Sequence, residues 1–212
     1  MFTKTLSHNA QNALALLGSG RVLPKGTYLA GGSALALHLG HRISIDFDFF
    51  TPESFDQESL AVALGKIGEF KTETIVKNTL LGTFNKVRFS LFRYEYPLLF
   101  PTIEYQRIGL ADARDIGAMK IAAVMDRGTK KDFIDLYFLS RKKVSLDQCL
   151  NYYDEKYGAL TNNVYSIITS LSYFDETEET EMPTILIPTS WENVKNFFQR
   201  EAVRLAKIHL AS

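Results

Sequence analysis

Asp46 and Asp48 stand two residues apart in the apolar run Ile43-Ser44-Ile45-Asp46-Phe47-Asp48-Phe49-Phe50. Alternate side chains of a strand share a face, so this spacing predicts Ser44, Asp46 and Asp48 on one side and Ile43, Ile45, Phe47 and Phe49 on the other. Two carboxylates that close repel each other and raise each other's pKa unless a cation lies between them. Oxygen-only ligands suit Mg²⁺, or Mn²⁺ in its place. The chemistry this points to is metal-assisted work on phosphates.

Just upstream, Gly31-Gly32-Ser33 precedes Ala34-Leu35-Ala36-Leu37-His38-Leu39, a run that reads as a short helix stopped by Gly40. Glycines let the backbone turn tightly and approach a ligand closely. The first amides of a helix lack internal partners and carry partial positive charge, which makes this corner a phosphate cradle with the Ser33 hydroxyl as a further donor. Twelve residues separate Ser33 from Asp46, the length of one short helix and a return into the strand. Alone, an Asp-Phe-Asp is usually an exposed strand face and a Gly-Gly-Ser usually a loop. Their order and spacing, with apolar residues alternating between the acids, favour a shared site.

Gly32-Ser33, twelve residues, then Asp46-Phe47-Asp48 resembles the signature of the polymerase-β-like nucleotidyltransferase superfamily. With His41-Arg42 and Ser44 before the acids and a Lys120 to Leu136 segment downstream, the chain is similar to the AbiEii/AbiGii toxin family over roughly residues 25–140. The resemblance implies an α+β nucleotidyltransferase fold, a mixed sheet flanked by helices with a helical C-terminal extension. It implies a core over 1–110 and a helical region over 111–212 that completes the active site. Asp46, Asp48, Lys120 and either or both of Asp132 and Asp135 would be catalytic, and Gly31, Gly32, Ser33, Arg42 and Ser44 would hold the nucleotide. The substrate would be an NTP, and the acceptor an RNA end, tRNA-like, or a protein hydroxyl. The biological role would be that of a toxin in a toxin–antitoxin or phage-defence system, with an antitoxin protein as a possible partner. Transfer to a small molecule, as in antibiotic nucleotidyltransferases, and nucleotide binding without catalysis are the alternatives.

One departure bears on activity. Superfamily members commonly add a third acid on a later central strand, and here the best register, Arg88-Phe89-Ser90, offers arginine and serine. Glu104 is the candidate substitute. Lys120 has its own chemical case: on a helix face opposite much of the apolar stripe, an extended ammonium reaches a phosphate oxygen as a point charge. Asp132 and Asp135 also read as helix-capping or solvated residues, and Lys131 with Asp135 as a surface pair worth a few tenths of a kcal/mol.

The elements that must position these groups follow from periodicity. Residues 4–18 and 56–67 read as helices, 27–30 as a short buried strand, and 70–77, 83–93 and 102–108 as further strands. From Asp112 the period turns helical, with a stop at Arg127-Gly128 and Thr129 capping the next helix. Residues 146–212 read as helices with an acidic loop at 175–181, and Thr189 with Glu192 has capping-box spacing.

Composition sets outer limits. The 212 residues carry 24 basic and 24 acidic side chains, so sequence-blind coating of nucleic acid is not expected, though Arg141-Lys142-Lys143 beside Arg127, Lys130 and Lys131 makes a local RNA-facing patch conceivable. Cys149, the one cysteine, excludes an intrachain disulfide and a cysteine metal cluster and reads as a passive thiol. His38 and His41 read as packing or hydrogen-bonding groups. No apolar run approaches a membrane span, and the first twenty residues resemble a surface helix more than a signal peptide, so a soluble cytoplasmic protein is expected.

Overall fold

The computed structural model describes residues 1–210. The chain divides into two compact units, Met1–Asp112 and Ala113–Ser212.

The first unit is built on seven strands: β1 (Tyr28–Leu29), β2 (Asp46–Thr51), β3 (Phe70–Val76), β4 (Thr79–Phe84), β5 (Val87–Arg93), β6 (Ile103–Tyr105) and β7 (Ile108–Leu110). Their order across the sheet is β3-β4-β5-β2-β1-β7-β6. β2 runs parallel to β5, β1 parallel to β7, and the other neighbours are antiparallel. Three α-helices accompany the sheet, α1 (His8–Gly20), α2 (Gly31–Leu39) and α3 (Gln57–Ile67), after a 3-10 turn at Thr3–Thr5.

Period-2 patterning decides which face is covered. Phe47 and Phe49 on β2, Val87, Phe89 and Leu91 on β5, and Leu80 and Phe84 on β4 are all buried. The Phe49 and Phe89 rings lie 5.4 Å apart, and Phe70 meets Phe89 edge-on at 5.7 Å. Burying each such ring contributes about 1.5–3 kcal/mol. The intervening residues are partly or fully exposed: Asp46, Asp48 and Phe50 on β2, and Arg88, Ser90 and Phe92 on β5. Across β4, β5 and β2 the sheet therefore has one packed face and one open face, with the acids on the open one, whereas on β1 both Tyr28 and Leu29 are buried. Ile45 departs from the expected alternation. It is 59% exposed because β2 begins only at Asp46.

Two hairpins were hidden inside apparent single strands. Residues 83–93 are the end of β4, a turn at Asn85-Lys86 and β5; residues 102–108 likewise fold back at Gln106-Arg107. Both turns have positive φ at both central residues, the geometry of a tight hairpin that glycine usually marks. Neither turn contains a glycine.

The second unit is helical: α4 (Ala113–Asp126), α5 (Lys130–Lys142), α6 (Leu146–Tyr157), α7 (Leu160–Ser172), α8 (Asp175–Glu178) and α9 (Trp191–His209). Phe133 is its aromatic centre, 5.2 Å from both Phe174 and Phe198 and 5.9 Å from Trp191. Thr129 caps α5 by accepting from the Asp132 amide. The last helix is capped one residue later than its spacing predicts, by Ser190 accepting from Asn193. Part of the acidic stretch forms α8, and Glu178 there binds Lys195 at 2.8 Å and the Trp191 indole at 3.0 Å. Among the described residues no helix is long and apolar enough to cross a membrane.

Candidate active site

The glycine corner is the first turn of α2 itself rather than a loop before it. The helix runs from Gly31 and ends at Gly40, whose φ of +69° completes a left-handed cap. Gly31 has a φ of +62°, and a Cβ there would stand 2.7 Å from Oδ2 of Asp48. The Asp48 carboxylate thus lies against the helix start, and the Ala30 amide donates to the Asp48 carbonyl at 3.0 Å. A Cβ on Gly32 would collide with the Arg42 guanidinium. Both glycines are needed for close approach.

Ser33 behaves differently from the expectation of a phosphate donor. Its side chain is buried, and its hydroxyl donates to the Asp46 carbonyl and lies 2.9 Å from the Ser44 hydroxyl. Ser33 and Ser44 therefore pin α2 to the start of the acidic strand. Arg42, also buried, donates to the Ile43 carbonyl at 3.0 Å beneath the glycine turn.

On the open face, Asp46 and Asp48 are neighbours on one strand, and Oδ1 of Asp46 is buried without a hydrogen-bond partner. A buried carboxylate oxygen with no donor is costly unless a cation meets it. The donor set, two carboxylates on one face beside helix amides, fits a hard divalent cation that keeps part of its water. Among the described residues no group of three or more acidic, histidine or cysteine side chains gathers to hold a metal. The third-acid register explains this: Ser90 is the direct neighbour of Asp48, and Arg88 of Asp46. Glu104 does not substitute. It sits on β6, three strands from β2, or about 14 Å at the usual strand spacing.

The helical unit carries the second cluster. Nζ of Lys120 lies 2.8 Å from Asp132 Oδ1 and 2.7 Å from Asp135 Oδ2, and all three side chains are buried. The expected surface pair of Asp135 with Lys131 gives way to this one, because the i, i+3 spacing turns both aspartates to the same side of α5. Asp132 also accepts a fork from Arg127, at 2.9 and 3.0 Å, and the Thr129 hydroxyl at 2.7 Å. Burial works against ionising this carboxylate, but Lys120 and Arg127 outweigh it and hold the Asp132 pKa well below the usual range. Arg127 and Thr129 belong to the cluster, although the sequence marked Arg127 only as a helix stop and a member of a basic patch, and Thr129 only as a cap.

The basic patch is largely engaged. Lys130 donates to the Glu178 and Thr180 carbonyls, Arg141 lies over Tyr137, and Lys142 over Phe138. Cys149 is buried, its thiol pKa pushed up to about 12 by desolvation, and His38 contacts the Ala111 carbonyl at 2.9 Å.

The model of the nucleotidyl transferase AbiEii toxin family, described as a type IV toxin–antitoxin system, matches residues 19–111 and 93–206. The chain belongs to this AbiEii family. It is 38% identical over 179 residues to an uncharacterized protein of Aquifex aeolicus, covering 82% of this chain and 85% of that one. Among solved structures it is similar to MenT4, a nucleotidyltransferase toxin from Mycobacterium tuberculosis, with a TM-score of 0.63 at 14% identity over 93% of this chain and 82% of that one. JHP933 from Helicobacter pylori gives a TM-score of 0.54 at 14% identity, covering 97% and 95% of the two chains. The antibiotic-resistance factor ANT(2'')-Ia gives 0.54 at 14%, covering 78% and 99%. These likenesses establish the nucleotidyltransferase fold, and the family match makes the AbiEii chain a nucleotidyltransferase.

Proposed function

We propose that this AbiEii chain moves a nucleoside monophosphate from an NTP to a hydroxyl on an RNA end or a protein, and acts as the toxin of a toxin–antitoxin system. The observation that carries the reading is the unpartnered buried oxygen of Asp46, next to Asp48 on an open sheet face and beside a helix start with close-approach glycines.

The acceptor oxygen attacks the α-phosphorus, the bond from that phosphorus to the β-phosphate oxygen breaks, and pyrophosphate leaves. Asp46 and Asp48 would hold Mg²⁺ or Mn²⁺, which supplies charge neutralisation on the phosphates and acidifies the attacking hydroxyl when bound. The first amides of α2, at Gly31 and Gly32, receive phosphate oxygens, while Ser33, Ser44 and Arg42 fix the turn from beneath. In the helical unit, Asp132 and Asp135 set the direction of the Lys120 ammonium before substrate arrives, the preorganisation that electrostatic stabilisation requires. The two aspartates are thus positioning residues for Lys120.

The test is label transfer from each of four α-labelled NTPs into total RNA and protein, with wild type beside Asp46→Ala and Asp48→Ala. Label that requires both acids supports transfer and names the acceptor class. Metal-dependent NTP binding with no label in either pool favours a second reading, binding without catalysis, for which Ser90 in the third-acid register is the motive.

A further inference from the structure

Asp46 is the first residue of β2, and residues 41–45 before it lie outside every strand. A strand end opens more readily than its middle. Asp48 is held from two sides, by its ladder with Ser90 and by the Ala30 amide on its carbonyl, whereas Asp46 stands at the end of the ladder, opposite Arg88. The N-terminal segment holds the chain just before it. The Ser44 amide donates to the Thr5 carbonyl at 2.9 Å, and Leu6 pairs with Ser44 in an isolated parallel bridge. We propose that Phe2–Leu6 is a positioning clamp that sets Asp46 and the glycine turn of α2 for a divalent cation. The inference rests on the reading of Asp46 and Asp48 as metal ligands.

The segment reaches α2 at both ends. At the C-terminal end the Phe2 amide donates to the Leu37 carbonyl at 2.9 Å, and the Phe2 ring lies on Gly40, where a Cβ would stand 2.6 Å from it. At the N-terminal end the contact runs through Ser44. Its hydroxyl lies 2.9 Å from that of Ser33 in the first turn of α2, and Ser33 donates to the Asp46 carbonyl. One short segment thus ties the helix start that meets Asp48 to the strand start that carries Asp46. A displaced Ser44 moves the Asp46 backbone, and with it the buried Oδ1 that no donor holds.

A clamp must itself be held, and this one is. The Phe2 carbonyl accepts from the Thr5 amide at 3.1 Å and the Thr5 hydroxyl at 2.7 Å, and the Leu6 amide donates to the Thr3 carbonyl at 3.1 Å. From α1, Nε2 of Gln11 donates to the Thr3 and Leu6 carbonyls at 3.1 and 3.0 Å. Thr5 and Leu6 are buried, whereas Phe2 is 55% exposed, so its ring adds little to the core and its contact with Gly40 is the part that removal would cost. Groups that orient a metal ligand from behind change affinity by about 10- to 100-fold when removed. Phe2 and Gln11 act through Thr5, Leu6 and Ser44, at a further remove, so their effect is smaller.

The test is Mn²⁺ titration of the full chain without NTP, read by the electron paramagnetic resonance of free Mn²⁺, at a temperature where circular dichroism shows every variant folded. Asp46→Asn marks the site by its loss of binding. Phe2→Ala removes the ring from Gly40, and Gln11→Glu sets a carboxylate against the two carbonyls that the amide serves. Each is expected to weaken Mn²⁺ binding several-fold, and Phe2→Tyr to keep it. In label transfer Phe2→Ala and Gln11→Glu are expected to need more Mg²⁺ for half-maximal rate, with the maximal rate recovered at excess Mg²⁺. A segment that only adds stability would lower their melting temperatures and leave Mn²⁺ affinity unchanged; that result overturns the inference, while leaving the metal reading standing. Phe2→Tyr as weak as Phe2→Ala overturns it too. Mn²⁺ binding that ignores Asp46→Asn, or none by wild type, removes the metal reading and the inference with it. Asp46-dependent binding weakened in Phe2→Ala and Gln11→Glu, with no label transferred by wild type, keeps the clamp and removes the transfer reading.

Discussion

The ammonium of Lys120 lies 2.7 Å from the Asp135 carboxylate, and both side chains are closed off from solvent. With Asp132 and Arg127 the cluster balances two cations against two anions, all hydrogen-bonded or ion-paired. Breaking a buried pair from one side leaves an uncompensated charge, at a cost of about 3–5 kcal/mol. Asp135→Ala is therefore expected to lower stability by that order in urea unfolding. The double change Lys120→Met with Asp135→Leu is expected to lose less than the single one. A double variant weaker than Asp135→Ala would show that the ion pair itself, not its completeness, stabilises the helical unit.

Asp132 makes the stability of the same unit depend on pH. Its folded-state pKa is depressed below the ordinary value of 3.8 because Lys120 and Arg127 overcome its burial. A depressed carboxylate contributes stability that is fully present above the unfolded pKa and is lost as pH falls through the folded one. Wild type is therefore expected to exceed Asp132→Asn in melting temperature at neutral pH, with the gap closing as pH drops below about 4. Melting curves recorded across that range check it. A gap that stays constant down to strongly acid pH would assign the aspartate's effect to shape instead of charge.

The legible parts of the chain were those where local rules act alone. The alternation around Asp46 and Asp48 gave the acid-bearing face, and Gly40, Gly128 and Thr129 marked helix ends through backbone geometry that few residues adopt. The hairpins at Asn85-Lys86 and Gln106-Arg107 escaped because non-glycine residues take the left-handed conformation there. Ser33 read as a phosphate donor because α2 alone suggests it. Its hydroxyl turns inward to Ser44 and the Asp46 carbonyl, contacts set by the returning strand. The two buried partners of Lys120 were not legible because they lie on the following helix, and spacing along one helix does not show a charge met by another.

The acids offer a test that does not depend on turnover. Without a cation the two carboxylates of β2 repel across one strand face, and Oδ1 of Asp46 has no hydrogen-bond donor, so Asp46→Asn removes repulsion and, metal-free, is expected to melt at or above wild type. Mg²⁺ at about 100 times its dissociation constant adds about 2.7 kcal/mol to the state that binds it. Wild type is expected to gain several degrees in melting temperature with Mg²⁺, and Asp46→Asn and Asp48→Asn to gain little. An equal gain in all three proteins would place the cation elsewhere.

Two glycines separate close approach from helix propensity. Gly31 combines a φ of +62° with a Cβ position 2.7 Å from Asp48 Oδ2. Gly31→Ala therefore meets both backbone strain and a displaced carboxylate; a loss of about 1–3 kcal/mol is expected from the backbone alone, with transfer activity falling further as Asp48 moves. Gly65 lies within α3 with nothing within 4 Å of its Cβ position, and Ala there is expected to stabilise by about 0.5–1 kcal/mol through helix propensity. Thermal unfolding and label transfer on both variants separate the two effects. Gly65→Ala should melt higher with activity unchanged. Gly31→Ala should lose activity even at temperatures where it remains folded, because the glycine's function at that position is to let the carboxylate and the helix start approach each other.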